Sequence, residues 1–160
     1  MSTENDSARA QRPRRPRSGD GLFVVGLVGR AGSGKGVVAG AWSADGALVI
    51  EADRVGHEVT DEDPAVRAAL AAEYGPGVYG PDGRLDRERV GARVFADPAA
   101  RERLDRLVHP ALVAGLRRRL EVLRSRGWRG VVVLDGALLL EWGLERDCDA
   151  VVAVTAPEAE

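Results

Sequence analysis

Lysine is almost missing from this chain. Of its 23 basic residues only Lys35 is a lysine, and every other one is arginine. The chain uses the rigid guanidinium fork throughout and places its single compact, mobile ammonium at one position. Cysteine is as scarce. Cys148 stands alone, which excludes an intrachain disulfide and fits a reducing compartment. In its Glu-Arg-Asp-Cys-Asp setting it reads as a small buried hydrophobe rather than a nucleophile. No apolar run approaches the length of a membrane span. The first residues carry no apolar stretch of the kind a secretory leader needs, so the expected location is the cytoplasm. Neither sign of charge dominates: 23 basic against 25 acidic residues leave a net charge of −2. That removes the electrostatic signature of a general nucleic-acid binder. There is no internal repeat. At 160 residues and 44% hydrophobic, the chain has the length and apolar content of one packed domain.

What is present centres on Gly29-Arg30-Ala31-Gly32-Ser33-Gly34-Lys35. An apolar run from Leu22 to Val28 precedes it, and a stretch from Val37 to Trp42 that can continue as a helix follows. Strand, glycine turn and helix are the context in which G-x-x-x-x-G-K binds phosphate. Glycines let backbone N–H groups turn toward an anion with no Cβ in the way. The helix start adds unpaired N–H groups and the positive end of its dipole. Lys35 adds a point charge for the outer phosphates. A ligand-free turn is the plainer alternative, and the flanks and lone lysine argue against it. The usual hydroxyl after the lysine is absent, since Gly36 and Val37 stand there. A magnesium ion would then be held by phosphates, water and a carboxylate elsewhere.

Along the chain, residues 1–20 interleave arginines with Pro13 and Pro16 and bury nothing, so they read as a disordered arm. Such an arm can touch RNA or an acidic partner weakly, although a solvated tail explains it as well. Strands are expected over 22–28, 47–50, 131–134 and 150–154, with the first helix over 35–43. Glu51 and Asp53 leave the second strand on the same side as the glycine loop. Residues 54–127 are mainly helical in pattern. Asp63-Pro64, Asp86 and Asp97-Pro98 carry helix-start chemistry. Gly75-Pro76-Gly77 breaks the first of these helices, and His109-Pro110 is expected to interrupt the last. Asp135 ends the third strand in the Walker-B manner. Leu138 to Trp142 is expected to form a short buried helix carrying Glu141.

Four stretches in order, "GLVGRAGSGKGVVA", "VIEADRVGHEV", "YGPDGRLDRERVGARVFADPAARERLDRLVHPAL" and "VVVLDGALLLEWGLERDCDAVVAVTAPEAE", resemble the bacterial dephospho-coenzyme A kinases from about residue 22 onward. The resemblance implies an α/β fold, a P-loop NTPase-type parallel sheet with flanking helices and an inserted helical substrate lobe. The core would comprise 21–54 and 128–160, and the lobe 55–127. It implies ATP-dependent phosphorylation of the ribose 3′-hydroxyl of dephospho-CoA, the last step of coenzyme A synthesis, with ATP and Mg²⁺ required. Gly32, Ser33, Gly34, Lys35, Gly36 and Val37 would cradle ATP. Asp53 would accept the proton of the attacking hydroxyl. Asp53 and Asp135 are the metal candidates. Glu51, His57, Arg84 and Arg87 are candidates for the acceptor, with Glu51 where the family usually has Asp. His109 falls on a family position and is expected to bond backbone that Pro110 frees.

The family continues with an arginine-bearing lid helix and a last strand, which the resemblance implies are missing here. The sequence thus reads as a fragment, a split gene product or a decayed copy, with its fourth strand an exposed edge. Two other readings stand beside the kinase: a P-loop kinase for another nucleotide or small metabolite, since adenylate-kinase-like enzymes also place Gly after the lysine, and a nucleotide-binding protein without turnover.

Overall fold

The computed structural model describes Gly19 and residues 21–156. The arm expected over residues 1–20 lies, Gly19 apart, outside the described residues. The fold alternates strands and helices. β1 is Leu22–Gly29, α1 Lys35–Ala44, β2 Leu48–Glu51, α2 Ala52–Glu62, α3 Pro64–Tyr74, α4 Arg87–Ala96, α5 Pro98–Ser125, β3 Gly130–Asp135 and β4 Ala150–Val154. Short 3-10 turns fill Pro76–Val78 and Leu144–Asp147. Among the described residues the strands form one sheet in the order β2-β3-β1-β4, and every pairing is parallel. β1 and β3 are central, and their near-continuous apolar runs suit a sheet covered on both faces.

All four strands therefore point the same way, and the loops leaving their carboxyl ends share one edge. That edge holds the glycine loop after β1, Glu51 and α2 after β2, and Asp135 at the end of β3. Registered pairing sets Glu51 opposite Asp135, and Asp135 opposite Leu27 of β1.

Three apolar clusters hold the fold. α1 covers one sheet face, packing Ala39, Val38 and Trp42 against Leu27 and Val133. α2 and the second half of α5 cover the other face through Val55, Leu112, Val113, Leu116 and Leu120. A separate cluster of Val66, Leu70, Tyr74, Val78, Leu85, Val90 and Ala100 makes the helical lobe. Cys148 is buried in the sheet cluster, where its Sγ lies 3.3 Å from the carbonyl of Leu144.

The start signals act as expected. Asp63 accepts from the N–H groups of Ala65 and Val66, Asp86 from Arg89 and Asp97 from Ala99. Two local expectations need correction. His109-Pro110 does not interrupt a helix, because α5 runs unbroken through Pro110 for 28 residues. Its face packs Leu104, Leu107, Val108 and Ala111 on the lobe, then Leu112 onward on the sheet. That two-sided burial outweighs one lost hydrogen bond. Arg106, whose carbonyl loses its N–H partner, is exposed, as is Pro110, so water can take that bond. His109 also makes no bond to freed backbone among the described residues, and its ring lies beside Trp142, 6.2 Å between centroids. The segment Leu138 to Trp142 forms turns rather than a helix. Gly143 at φ 68° ends it after a single turn, Leu139 is buried and Leu140 faces solvent.

Candidate active site

The glycine loop is built by backbone geometry that side chains resist. Gly32 and Gly34 sit at φ 79° and 88°, in the left-handed region. Gly34 caps α1, and no side chain bonds to the helix start. The first-turn N–H groups are thereby left to an incoming anion. Gly29 is tight for another reason: a Cβ there would meet Ser33 Oγ and the carbonyl of Val154, each at 2.7 Å. Ser33 Oγ is buried and bonds to nothing in the loop. An orphaned hydroxyl beneath an uncapped helix start fits a ligand rich in acceptor oxygens.

Lys35 reaches back across the sheet edge and pairs with Asp135. Both groups are mostly shielded, with side-chain exposures of 21% and 13%. The ammonium is thus held at the strand tips rather than extended into solvent. Glu51 ends β2 beside Asp135 in the sheet register, and Asp53 lies in the first turn of α2 with an exposed side chain. Gly36 and Val37 form the outer side of the first turn of α1, with Val37 78% exposed. Among the described residues no group of three or more His, Cys, Asp or Glu converges to hold a metal ion. Asp135, at the strand tip beside Lys35, would offer a carboxylate oxygen to a cation that arrives already bound to phosphate.

The other acceptor candidates converge elsewhere. His57, Arg84 and Arg87 line one cavity of about 620 Å³ between α2 and the loop before α4. His57 and Arg84 are exposed on it. Arg87 is engaged: its guanidinium donates to Asp61 Oδ2 at 3.0 Å, Thr60 Oγ1 at 3.1 Å and the carbonyl of His57 at 3.3 Å. Asp61 also accepts from the N–H of Leu85 at 2.9 Å. Burial pushes the Asp61 carboxyl up, but the Leu85 N–H and the Arg87 charge outweigh it and hold the group below its ordinary value of 3.8. Arg67 stacks over Tyr79 at 4.2 Å and donates to the carbonyls of Asp61 and Gly83, which fixes the loop that carries Arg84.

Sequence reasoning missed Asp61 and the Arg54–Glu58 pair, which also line this cavity. Asp53, His57 and Asp61 recur every four residues, so treating 52–62 as a helix aligns all three on one face. Arg54 and Glu58 follow the same spacing and form an ion pair at 3.3 Å.

A parallel sheet with an uncapped P-loop at its carboxyl edge, its lysine paired to the acid that ends the neighbouring strand, places the chain in the P-loop class of α/β folds. The comparisons with known proteins narrow this. The family model described as dephospho-CoA kinase matches residues 23–160, and the chain belongs to that family. A dephospho-CoA kinase of Moorella thermoacetica is 44% identical over 137 residues, covering 85% of this chain and 64% of the relative. One of Frankia casuarinae is 44% identical, over 85% of this chain and 58% of its own length. The chain thus spans less than two thirds of each of these relatives. The crystal structure of TT1252 from Thermus thermophilus superposes with a TM-score of 0.67 at 31% identity, covering 85% of this chain and 66% of that one. A dephospho-CoA kinase from Campylobacter jejuni shares the fold at a TM-score of 0.57 and 15% identity, over 84% of this chain and 89% of its own.

Proposed function

We propose that this chain carries the phosphoryl-transfer centre of a dephospho-CoA kinase, moving the γ-phosphoryl group of ATP to the ribose 3′-hydroxyl of dephospho-CoA. The observation that carries this reading is the shielded Lys35–Asp135 pair at the mouth of an uncapped glycine loop. Phosphoryl transfer needs positioning and charge neutralisation more than covalent help. The loop from Gly32 to Val37 cradles the phosphates through N–H groups. Lys35 leaves Asp135 to follow charge onto the leaving and transferred oxygens. Asp53, on the same sheet edge, takes the proton of the attacking hydroxyl. A magnesium ion held by the phosphates, with Asp135 and Asp53 as its candidate carboxylates, would supply further charge neutralisation. Glu51 helps to set that metal or the acceptor.

His57, from α2, and Arg84, from the loop before α4, contact the acceptor. Arg87 acts indirectly, by holding Asp61 and the cavity wall. The reaction suits the cytoplasm, where the single thiol Cys148 stays reduced. No helix of the described residues is long and apolar enough to cross a membrane. The basic arm over residues 1–20 is at most a weak contact for RNA or an acidic partner.

The test is nucleotide binding followed by acceptor-dependent ATP consumption. Lys35→Ala is expected to reduce turnover by several orders of magnitude, and Asp53→Asn by about 10²–10⁴. Binding of ATP should persist in Asp53→Asn. A preference for AMP over dephospho-CoA as acceptor would replace this reading with another P-loop kinase. Tight ATP binding without turnover on any acceptor, in a version extended to the relatives' length, would leave a non-catalytic nucleotide binder.

A further inference from the structure

β2 is an edge strand, pairing among the described residues with β3 alone. Against its free side lies a cavity of about 640 Å³, enclosed by β2, α2 and the second half of α5. Leu48, Ile50, Val55, Val122 and Leu123 give it an apolar floor. Arg54, Arg118 and Arg119 stand around it, together with Glu51 and Glu58. Arg119 is committed to Glu58 and to the carbonyl of Gly115, whereas Arg118 is exposed and makes no ion pair among the described residues. The cavity follows β2 from Leu48 to Glu51, a run of about 10–13 Å at strand rise. Its head is the strand tip that faces Asp135. It shares the Arg54–Glu58 pair as a wall with the polar cavity of His57, Arg84 and Arg87. A groove with an apolar floor and a polar cavity therefore meet at Arg54, one residue beyond Asp53.

We infer that the groove along β2 is the subsite for the pantetheine arm of the acceptor. This rests on the proposed function, and it assigns the arm a place that the phosphoryl-transfer chemistry does not. The arm is an extended chain with two methyl groups on one carbon, two amides and a terminal thiol. Its methyls and methylenes need an apolar wall, which Leu48, Ile50, Val122 and Leu123 supply. Its amides need partners spaced as in a peptide, and the free edge of a strand offers N–H and C=O groups in that form. The diphosphate that joins arm to ribose needs a cation between the two cavities, and Arg54 lines both.

The test is made on the full chain with a non-hydrolysable ATP analogue saturating the P-loop. Dephospho-CoA is titrated in, and ADP is titrated separately as a ligand lacking the arm. Val122 is 41% exposed, so Val122→Asp spares the core. It is expected to weaken dephospho-CoA about tenfold and ADP less than about twofold, with an unchanged melting temperature. Arg118→Glu, on the exposed rim, is the second variant, with an expected loss of about threefold to fivefold for dephospho-CoA. Intermolecular NOEs should link the arm's paired methyls to Leu48 and Val122.

Equal losses for both ligands, no loss in either variant, or NOEs to residues outside the groove would overturn the inference and leave the proposed function standing. A concentration-dependent dimer that Val122→Asp dissolves, with dephospho-CoA binding unchanged, would assign the groove to a second copy instead. Unaltered protein that binds the ATP analogue but not dephospho-CoA would overturn both.

Discussion

Gly29 opens the phosphate loop and Gly36 lies in the first turn of α1, and the two differ in what a side chain there would meet within the protein. A methyl group at Gly29 would be driven into Ser33 Oγ and the Val154 carbonyl, while at Gly36 it would meet nothing within 4 Å. Gly29→Ala should cost about 1–3 kcal/mol and weaken ATP binding, whereas Gly36→Ala should stay within about 0.5 kcal/mol. Paired urea melts and nucleotide titrations check both. Asp61 gives a second test. Its folded pKa lies below the ordinary value, so its contribution is complete above about pH 4 and is lost as acid protonates the folded group. Asp61→Asn should lower stability by on the order of 1 kcal/mol near neutrality and match the parent once acid has protonated Asp61 in the parent. Melting temperature against pH from about 6 down to 2.5 reads this directly. Equal gaps at both ends of the scan would refute it. That Lys35, Asp53 and Asp135 come to the carboxyl edge of the sheet was legible from residue type and strand position. Asp61 was not, because its partners Arg87 and Leu85 are brought to it by chain folding and not by spacing.

Among the helices, α5 is the member that joins the two halves. Its 28 residues extend about 42 Å, and its buried face passes from lobe to sheet near Pro110. Pro110→Ala restores an N–H in a continuous helix and should stabilise by about 1–3 kcal/mol. A lower melting temperature would mean that the proline's shape is required at the changeover. Asp97 caps the same helix through the Ala99 N–H at 2.9 Å, and Asp97→Ala should cost about 1 kcal/mol. The capping signals were legible because they are local: an acid before Pro acts within three residues. Continuity through Pro110 was not. Proline's local penalty is written in the sequence, and the burial that offsets it comes from two clusters far apart in the chain.

At the size of the molecule, the sheet has two open edges among the described residues. β2 borders the groove assigned above, and β4 pairs only with β1. On β4, Val151 and Val152 are 41% and 36% exposed, a ready template for edge pairing. Val152→Lys should raise the temperature at which light scattering sets in while moving the unfolding midpoint by less than about 0.5 kcal/mol. Unchanged aggregation would show that this edge is already protected.

The division of labour is physical. The left-handed glycines of the loop and the helix caps act through backbone geometry and bonds to near neighbours, so they could be read off the order of residues. That β3 lies between β1 and β2, which brings Asp135 to Lys35 and sets Glu51 beside it, depends on contacts about a hundred residues apart. So does the groove beside β2, whose walls come from α2 and α5. Burial of apolar surface selects such pairings only once the whole chain has collapsed, and no local pattern contains them.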